Sequence, residues 1–336
     1  MTTRRTLIRA AGLGALAAPF VGRPGFAQPR KVTVQLNWFP SADHSPLFLA
    51  KSRGWYADAG MDLTIQRGQG SGDTVQRVEI GQAEFGQADT PTIITGVGKG
   101  ASLQVVGIVL DKAGNNAFFR KDSGIAKPAD LAGKKVALPP GDSHRVLWPA
   151  FARANGIDPG SITMVNVRPE GKQAAVATGQ TEVSFDQYTG FPLWEKTLGK
   201  GNVGNLLWAD YGLQLYGFSY FAKPEFLRAN AELAKGFLAA TYRGWAAAQA
   251  DHKAAVDALA NEVGAGIDRA ALLEAMPYVM DLAITERSRA NGIGWIDEAL
   301  MAKTIEITAT AQTLPNVPTA SAIGTNAFNP KVTPAA

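Results

Sequence analysis

The sequence predicts an α/β protein built as a two-lobed clam shell, in which each lobe is a mixed or parallel sheet flanked by helices and the C-terminal part is helical. Three observations lead to this prediction. Short strand patterns alternate with helical patterns from residue 32 to residue 110, and the same rhythm restarts at residue 118. Such alternation implies parallel pairing. Beyond Pro224 the chain is predicted to be almost entirely helical, and the roughly 310 residues that follow a predicted leader exceed one compact core.

The first α/β unit starts with a strand over 32–38, where apolar and polar residues alternate. A helix over 46–59 follows, and Gly60 ends it. The further predicted strands are 62–66, 84–88 and 104–110, the helices are 73–80 and 90–98, and a glycine-rich loop occupies 68–73.

The second unit and the C-terminal part follow the same reasoning. Its predicted strands are 118–120, 134–138, 162–167, 182–185 and 215–221, and its helices are 144–155, 172–178, 232–250, 251–263, one from 269, and 295–311. The tail from Pro315 is predicted to be extended. We expect residues 28–113 plus 213–336 to form lobe 1 and residues 114–212 to form lobe 2, because the rhythm restarts near 115 and gives way to helices after 211–216.

Residues 1–27 have the pattern of a twin-arginine-type signal peptide. Arg4 and Arg5 precede an apolar run over 10–21, and small residues precede a break after Ala27. A membrane anchor is the alternative, but a span needs about 20 apolar residues, and this run is shorter and contains Pro19. The sequence therefore predicts export to the periplasm by the twin-arginine machinery.

Charge and cysteine content exclude several classes of protein. The chain has 33 basic and 29 acidic residues, and four of its arginines lie in residues 1–27, which leaves 29 of each sign. The processed chain is then formally neutral, so it has no excess of basic residues that would attract nucleic acid or a membrane surface. Without cysteine it has no disulfide, thiolate metal site, cysteine nucleophile or lipid-modified terminus. The three histidines are far apart in sequence, and we expect no cofactor, no metal and a soluble monomer.

A cluster over residues 37–44 lies where the first predicted strand ends and a helix begins. In a two-lobed α/β fold the ligand lies between the lobes, where strand ends and helix starts converge. Two aromatic residues beside an Asp-His pair suit a planar heteroaromatic ligand. The alternative is that Trp38 and Phe39 are core residues and that Asp43 or His44 caps the helix.

Two further clusters occupy equivalent places. Near Gly141 the backbone could approach a ligand oxygen at the start of a helix, although Asp142 argues against a purely anionic ligand and an ordinary helix cap is the alternative. At the end of a later strand, Asp186 could accept from a ring amine and Tyr188 could stack. The loop 68–73 lacks the Gly-Lys-Ser/Thr ending of a phosphate-binding loop.

No catalytic or metal motif accompanies these clusters. Neither Gly-x-Ser-x-Gly nor His-Glu-x-x-His occurs, so the sequence predicts binding and not catalysis. The predicted ligand-binding residues are Asn37, Trp38, Phe39, Asp43, His44, Gln69, Asp89, Thr90, Gly141, Asp142, Ser143, His144, Asp186, Gln187 and Tyr188.

These motifs resemble those of the NMT1/THI5-like group of periplasmic substrate-binding proteins. The resemblance is carried by residues 37–44, 49–56, 81–86, 130–137, 288–294 and 325–328. It implies a type II periplasmic-binding-protein fold. It also implies the solute-binding role in an ABC importer for nitrate, taurine, sulfonates or thiamine-precursor pyrimidines, with a permease and a cytoplasmic ATPase as partners.

Residues 38–44 are most similar to the pyrimidine-binding branch, which implies formylaminopyrimidine or hydroxymethylpyrimidine as the ligand and Trp38 as part of an aromatic clamp. Ser41 and Pro46 depart from that branch, and a sulfonate, taurine or aromatic carboxylate remains the alternative ligand. An enzyme on the same fold is the second alternative. The related fungal enzyme makes the pyrimidine from a pyridoxal cofactor with a cysteine-rich motif, which this chain lacks.

We expect cleavage after Ala27, so that the exported protein begins at Gln28. Mass spectrometry of the exported form measures this, and secreted protein with an intact N-terminus would contradict it. Replacing Arg4 and Arg5 by Lys should block export, because the twin-arginine route recognises that pair. Continued export of the variant would indicate the general secretory route.

Overall fold

A computed structural model describes residues 28–335. The predicted signal peptide, its arginine pair and its cleavage site after Ala27 lie outside the described residues. The strands in chain order are β1 (Arg30–Gln35), β2 (Met61–Gln66), β3 (Phe85–Asp89), β4 (Gln104–Ile108), β5 (Asn115–Arg120), β6 (Lys135–Leu138), β7 (Thr163–Asn166), β8 (Val183–Gln187), β9 (Val203–Leu207) and β10 (Phe218–Ala222).

These strands form two five-stranded mixed sheets, with orders β2-β1-β3-β10-β4 and β7-β6-β8-β5-β9. In the first sheet β1 is parallel to β2 and β3, whereas β10 is antiparallel to β3 and β4. In the second sheet β6 is parallel to β7 and β8, whereas β5 is antiparallel to β8 and β9. Each sheet therefore contains one antiparallel strand, and we call the parts built on the two sheets lobe 1 and lobe 2.

Helices flank both sheets. They are α1 (Ser45–Ser52), α2 (Trp55–Asp58), α3 (Ser71–Glu79), α4 (Thr90–Gly98), α5 (His144–Ala154), α6 (Lys172–Ala177), α7 (Phe191–Leu198), α8 (Pro224–Ala229), α9 (Ala231–Ala250), α10 (His252–Val263), α11 (Arg269–Ala283), α12 (Glu286–Asn291), α13 (Glu298–Gln312) and α14 (Ala320–Ile323). The predicted fold class is confirmed: two mixed sheets are flanked by helices, and the C-terminal region is helical.

The chain passes from the first sheet to the second between β4 and β5 and returns between β9 and β10. Because β10 pairs within the first sheet, the C-terminal helices that follow it return to lobe 1. The boundaries of the lobes at residues 113/114 and 212/213 stay a prediction.

Several elements differ from the sequence prediction. The helix predicted over 46–59 is divided into α1 and α2, because Gly54 has a left-handed backbone with φ of +77°. Helix α3 begins at Ser71, within the predicted glycine-rich loop. Helix α7 and strand β9 were not predicted, since a helix of only eight residues and an edge strand containing Gly204 carry little periodicity. Helix α14 interrupts the tail that was predicted to be extended.

Stacked aromatic side chains hold each sheet to its helices. In lobe 1 the Phe85 ring on β3 stacks on Phe237 of α9 with centroids 4.0 Å apart. In lobe 2 the Trp148 ring of α5 stacks on Phe185 of β8 at 5.3 Å. All four rings are buried. Such contacts orient the strand ends and helix starts from which the site is built. Within the described residues, no helix combines the length and apolar character that a membrane crossing requires.

Helix α9 packs against α1 at a glycine. A Cβ atom added to Gly244 would lie 2.3 Å from the carbonyl oxygen of Pro46. Gly244→Ala should therefore lower the free energy of unfolding by about 1–3 kcal/mol, although an alanine inside a helix otherwise stabilises by roughly 0.5–1 kcal/mol. Urea denaturation measures the change. Gly236→Ala in the same helix is the matched control, since its nearest contact would be 3.2 Å, and equal stability of the two variants would contradict the prediction.

Candidate functional site

A cavity of about 370 Å³ lies between the two lobes, where strand ends and helix starts from both sheets meet. Lobe 1 contributes four of the predicted site residues to its lining: Asn37, Trp38, Phe39 and Asp43. Lobe 2 contributes five: Asp142, Ser143, His144, Asp186 and Gln187. The three clusters that are distant in sequence therefore face one space.

The other six predicted residues are not among those that line the cavity, although each is near an element that does. They are His44, Gln69, Asp89, Thr90, Gly141 and Tyr188. His44 lies behind Asn37, to which its ring is bonded. Gln69 is exposed, and Thr90 donates its hydroxyl to the Gly217 carbonyl. Tyr188 packs edge-on against Tyr278. None of the six contributes a side chain to the cavity lining within the described residues.

A buried ion cluster forms the lobe 2 wall of the cavity. The ammonium of Lys172 lies 2.9 Å from Asp142 Oδ2 and 3.2 Å from Asp186 Oδ1. The side chains of Lys172 and Asp142 are only 2% and 4% exposed. The two ring nitrogens of His144 face Asp142 Oδ1 at 2.6 Å and the Asp186 carbonyl oxygen at 3.2 Å. Because a buried charge is costly unless it is paired, the members of this cluster depend on one another.

Mutual pairing keeps Lys172 and Asp142 charged. Burial alone would raise the pKa of Asp142, but the charges of Lys172 and His144 outweigh it and hold that pKa well below its usual range. Burial alone would lower the pKa of Lys172, but Asp142 and Asp186 outweigh it and raise that pKa. At neutral pH the wall therefore contains an ammonium between two carboxylates.

Local structure positions each member of the ion cluster. Lys172 is the first residue of α6, and Asp142 lies just before α5. Asp186 is near the end of β8, where its Oδ2 accepts a hydrogen bond from the indole Nε1 of Trp194 at 3.1 Å. The Trp194 ring stacks on Phe118 with centroids 4.9 Å apart. A buried aromatic pair thus fixes the orientation of the Asp186 carboxylate.

The lobe 1 wall is aromatic. Trp38 and Phe39 are half-buried and line the cavity, with ring centroids 5.6 Å apart. Both rings are therefore partly open to the cavity and are not enclosed in the core. The ammonium of Lys172 lies 4.9 Å from the Trp38 ring, and the guanidinium of Arg67 lies 4.2 Å from the Phe39 ring. The contact between Trp38 and Lys172 joins the two lobes across the site.

Polar groups behind this wall form a second network. Ser41 Oγ donates to Asp43 Oδ1 at 2.6 Å, and Gln87 Nε2 donates to Asp43 Oδ2 at 3.0 Å. The ring of His44 contacts Asn37 Oδ1 through Nε2 at 2.9 Å. Asn37, Asp43 and His44 are all buried. The amide of Asn37 is therefore the polar group through which this network reaches the cavity.

The lobes also touch beside the cavity. The backbone N–H of Gly72 donates to the carbonyl of Gly141 at 3.2 Å. Arg67 and Glu170 form an exposed pair at 3.7 Å, and Lys196 of α7 pairs with Asp268 next to α11. These three contacts connect segments of lobe 1 to segments of lobe 2 beside the cavity.

Sequence reasoning missed several lining residues. Lys172 is the most important of them, and Gln173, Ser71, Leu193, Phe218 and the start of α11 also line the cavity. One signal for Lys172 was present: a lysine at the first position of a helix opposes the helix dipole, which suggests a neighbouring carboxylate. The start of α11 had no such signal, because only the return of the chain to lobe 1 brings it to the site.

Among residues 28–335, no group of three or more His, Asp or Glu side chains is placed to hold a metal ion. The donor atoms of the ion cluster are bonded to one another.

Two mixed sheets with a lined cavity between them define the periplasmic-binding-protein fold. The structure is similar to that of the periplasmic aliphatic sulphonate binding protein SsuA from Escherichia coli, with a TM-score of 0.67 and 18% sequence identity over 88% of this chain and 92% of that one. At this identity the similarity shows the fold alone.

The NMT1/THI5 like family matches residues 41–255, and the chain belongs to that family. It is 28% identical over 218 residues to a 4-amino-5-hydroxymethyl-2-methylpyrimidine phosphate synthase of Legionella pneumophila, covering 64% of this chain and 68% of that protein. It is 25% identical over 157 residues to the formylaminopyrimidine-binding protein of Halalkalibacterium halodurans, covering 47% of each. The chain thus spans about half of the second relative, and these two relatives carry different activities in their names.

Asp89 lies at the end of β3 and is buried. Burial raises its pKa from 3.8 to about 8, and the nearby charge of Asp142 adds to that effect. The folded state then retains a proton that the unfolded state loses above pH 4, so this contribution to stability is complete below pH 4 and is lost as pH rises toward 8.

The amide that Asp89→Asn places at this position does not titrate. The stability of the variant relative to the parent should increase between pH 4 and pH 8, by at most about 1.4 kcal/mol per pH unit, and level off above. Urea denaturation at pH 4, 6 and 8 measures this difference. A difference that does not change with pH would show that Asp89 is ionised in the folded protein.

Proposed function

We propose that this protein is the solute-binding component of an ABC importer and that its lobes close on a small heteroaromatic ligand of the thiamine-precursor pyrimidine class. The family, the fold and the name of the Halalkalibacterium halodurans relative support this proposal. Under this proposal, the protein is exported to the periplasm and delivers its ligand to a permease with a cytoplasmic ATPase. It acts as a monomer without a cofactor.

The charge of the cavity is the observation that carries the choice of ligand. Among the described residues, Lys172 is the only lysine or arginine that lines the cavity, and both Asp142 and Asp186 neutralise it. Asp43 adds a further carboxylate. An anionic ligand would therefore face carboxylates and would have no free cation to pair with, because Lys172 and His144 are both bonded to Asp142. A neutral ring with amino groups would instead meet carboxylate acceptors.

The shape and polarity of the site agree with such a ring. The volume of about 370 Å³ is at the small end of ligand pockets. Trp38 and Phe39 supply a flat apolar wall on one lobe, and Asp186 and Gln187 supply polar groups on the other. An aminopyrimidine has π faces for the first and N–H donors and ring-nitrogen acceptors for the second.

A sulfonate, taurine or aromatic carboxylate is the second candidate, favoured by the structural similarity to SsuA. The amides near Gly141 would be its anchor, because free backbone N–H groups at a helix start attract anions. Asp142 opposes this candidate, since its carboxylate is ionised and lies in the same turn.

A pyrimidine synthase is the third candidate, because the Legionella pneumophila relative carries that name. A pyridoxal phosphate cofactor needs an unprotonated lysine amine for its Schiff base and positive charge for its phosphate. The lysine of this cavity is held as an ammonium by two carboxylates. The residues present therefore do not fit that cofactor, and we derive no reaction through it.

Isothermal titration calorimetry with formylaminopyrimidine, 4-amino-5-hydroxymethyl-2-methylpyrimidine, taurine and ethanesulfonate tests the proposal. The pyrimidines should bind more tightly than either sulfonate. Trp38→Ala should weaken pyrimidine binding roughly thirtyfold or more, because truncation of a central aromatic anchor often costs about 2 kcal/mol.

Trp295→Ala is the matched control. Trp295 is also half-buried beneath a lysine ammonium, at 5.4 Å, but it does not line the cavity. This variant should bind like the parent. Tight binding of taurine or ethanesulfonate without pyrimidine binding would overturn the choice of ligand, and chemical conversion of a bound pyrimidine would overturn the binding role.

A further inference from the structure

The hydrogen bonds of His44 define its protonation. The backbone N–H of Ser41 donates to His44 Nδ1 at 3.1 Å, and a backbone N–H can only donate. Burial lowers the pKa of His44 more than the neighbouring Asp43 carboxylate and Phe39 carbonyl raise it, so the ring is neutral. The Ser41 hydroxyl, which donates to Asp43, also lies 2.9 Å from Nδ1. On the other side of the ring, Nε2 faces two oxygens, Asn37 Oδ1 at 2.9 Å and Asp43 Oδ2 at 3.5 Å. We therefore assign Nδ1 as the acceptor of the Ser41 N–H and place the single ring proton on Nε2.

This proton determines which way the Asn37 amide faces. His44 Nε2 donates to Asn37 Oδ1 at 2.9 Å, and the ring is completely buried. A rotated amide would place its NH₂ group against the N–H of the ring, with two donors in contact and one hydrogen bond lost. A backbone hydrogen bond also holds Asn37 in place, since its carbonyl accepts from the N–H of Gly70 at 2.8 Å.

The amide therefore offers its donor to the cavity. Asn37 lines the cavity, and its Oδ1 is bonded to the buried ring behind it. Its Nδ2 group has no partner within the described residues. A ligand atom beside Asn37 must then be an acceptor, because a C–H group there would leave the amide donor unsatisfied.

We propose that His44 is a positioning residue that makes the site selective for a ring-nitrogen acceptor, by fixing the Asn37 amide with its NH₂ group toward the ligand. This inference rests on the proposed function, since it assigns one edge of the bound ring to lobe 1. The acceptor that it requires is the ring nitrogen of an aminopyrimidine. Asp186, on the opposite lobe, is the acceptor available for the amino group.

The test compares two probes that differ only in the ring atoms. One is 4-amino-5-hydroxymethyl-2-methylpyrimidine, and the other is its carbocyclic analogue 2-amino-4-methylbenzyl alcohol, in which C–H groups replace both ring nitrogens. The parent protein should bind the pyrimidine about tenfold or more tightly than the analogue, because the analogue leaves a buried donor unpaired. Calorimetry gives this ratio for each variant.

His44→Leu removes the donor to Asn37 and frees the amide to rotate. The preference for the pyrimidine should decrease to about threefold or less. His44→Gln can still donate from its own amide and should restore most of the preference. In an Asn37→Ala background, His44→Leu should not change the ratio further, since His44 acts through Asn37. Thermal unfolding of each variant confirms that it is folded.

The outcomes separate this inference from the proposed function. A parent protein that binds neither probe would contradict the proposed ligand class. A parent that binds both probes equally, or a His44→Leu variant that loses equal affinity for both, would overturn the role of His44 while leaving pyrimidine binding in place. An unchanged ratio in folded His44→Leu would also overturn it.

Discussion

The site depends on the burial of one ammonium between two carboxylates. Lys172 is held by Asp142 and Asp186, and its side chain is almost completely enclosed. A charge in such a place is stable only while its partners are present, and removal of one partner of a buried pair typically costs about 3–5 kcal/mol. Asp142 precedes α5, Lys172 begins α6 and Asp186 lies near the end of β8, so this cluster also fixes the starts of the two helices relative to the strand.

The same cluster determines what the cavity can accept. The ammonium of Lys172 is bonded to two carboxylates and the ring of His144 to one of them, so neither group is free to pair with an anionic ligand. The opposite wall has a different character, since it presents aromatic faces and an amide. The ammonium of Lys172 against the Trp38 ring links the two walls. Closure of the lobes therefore brings a charged surface and an aromatic surface to the two sides of one small space.

Proteins of this fold and family include both binders and enzymes by name. The difference between such activities lies in the side chains of the site and not in the arrangement of the sheets. Here Lys172 is bonded to two carboxylates, and His44 is bonded to the amide of Asn37. Both are arrangements that hold groups in position, as ligand recognition requires.

The amino-acid sequence by itself determined the α/β class, most strands and helices, and nine residues of the cavity lining. These features depend on local patterns: alternation in β1, capping before the helices, and polar clusters at the ends of strands. The sequence could not determine which clusters meet. Lys172 was predicted to begin a helix, but its burial between Asp142 and Asp186 exists only because β6, β7 and β8 lie side by side. His44 was predicted to lie near the edge of the ligand, and the fold places it behind Asn37. Residues that are 14 to 30 positions apart, as in the Lys172 pairs, meet through sheet pairing and lobe closure, and no local pattern records such contacts.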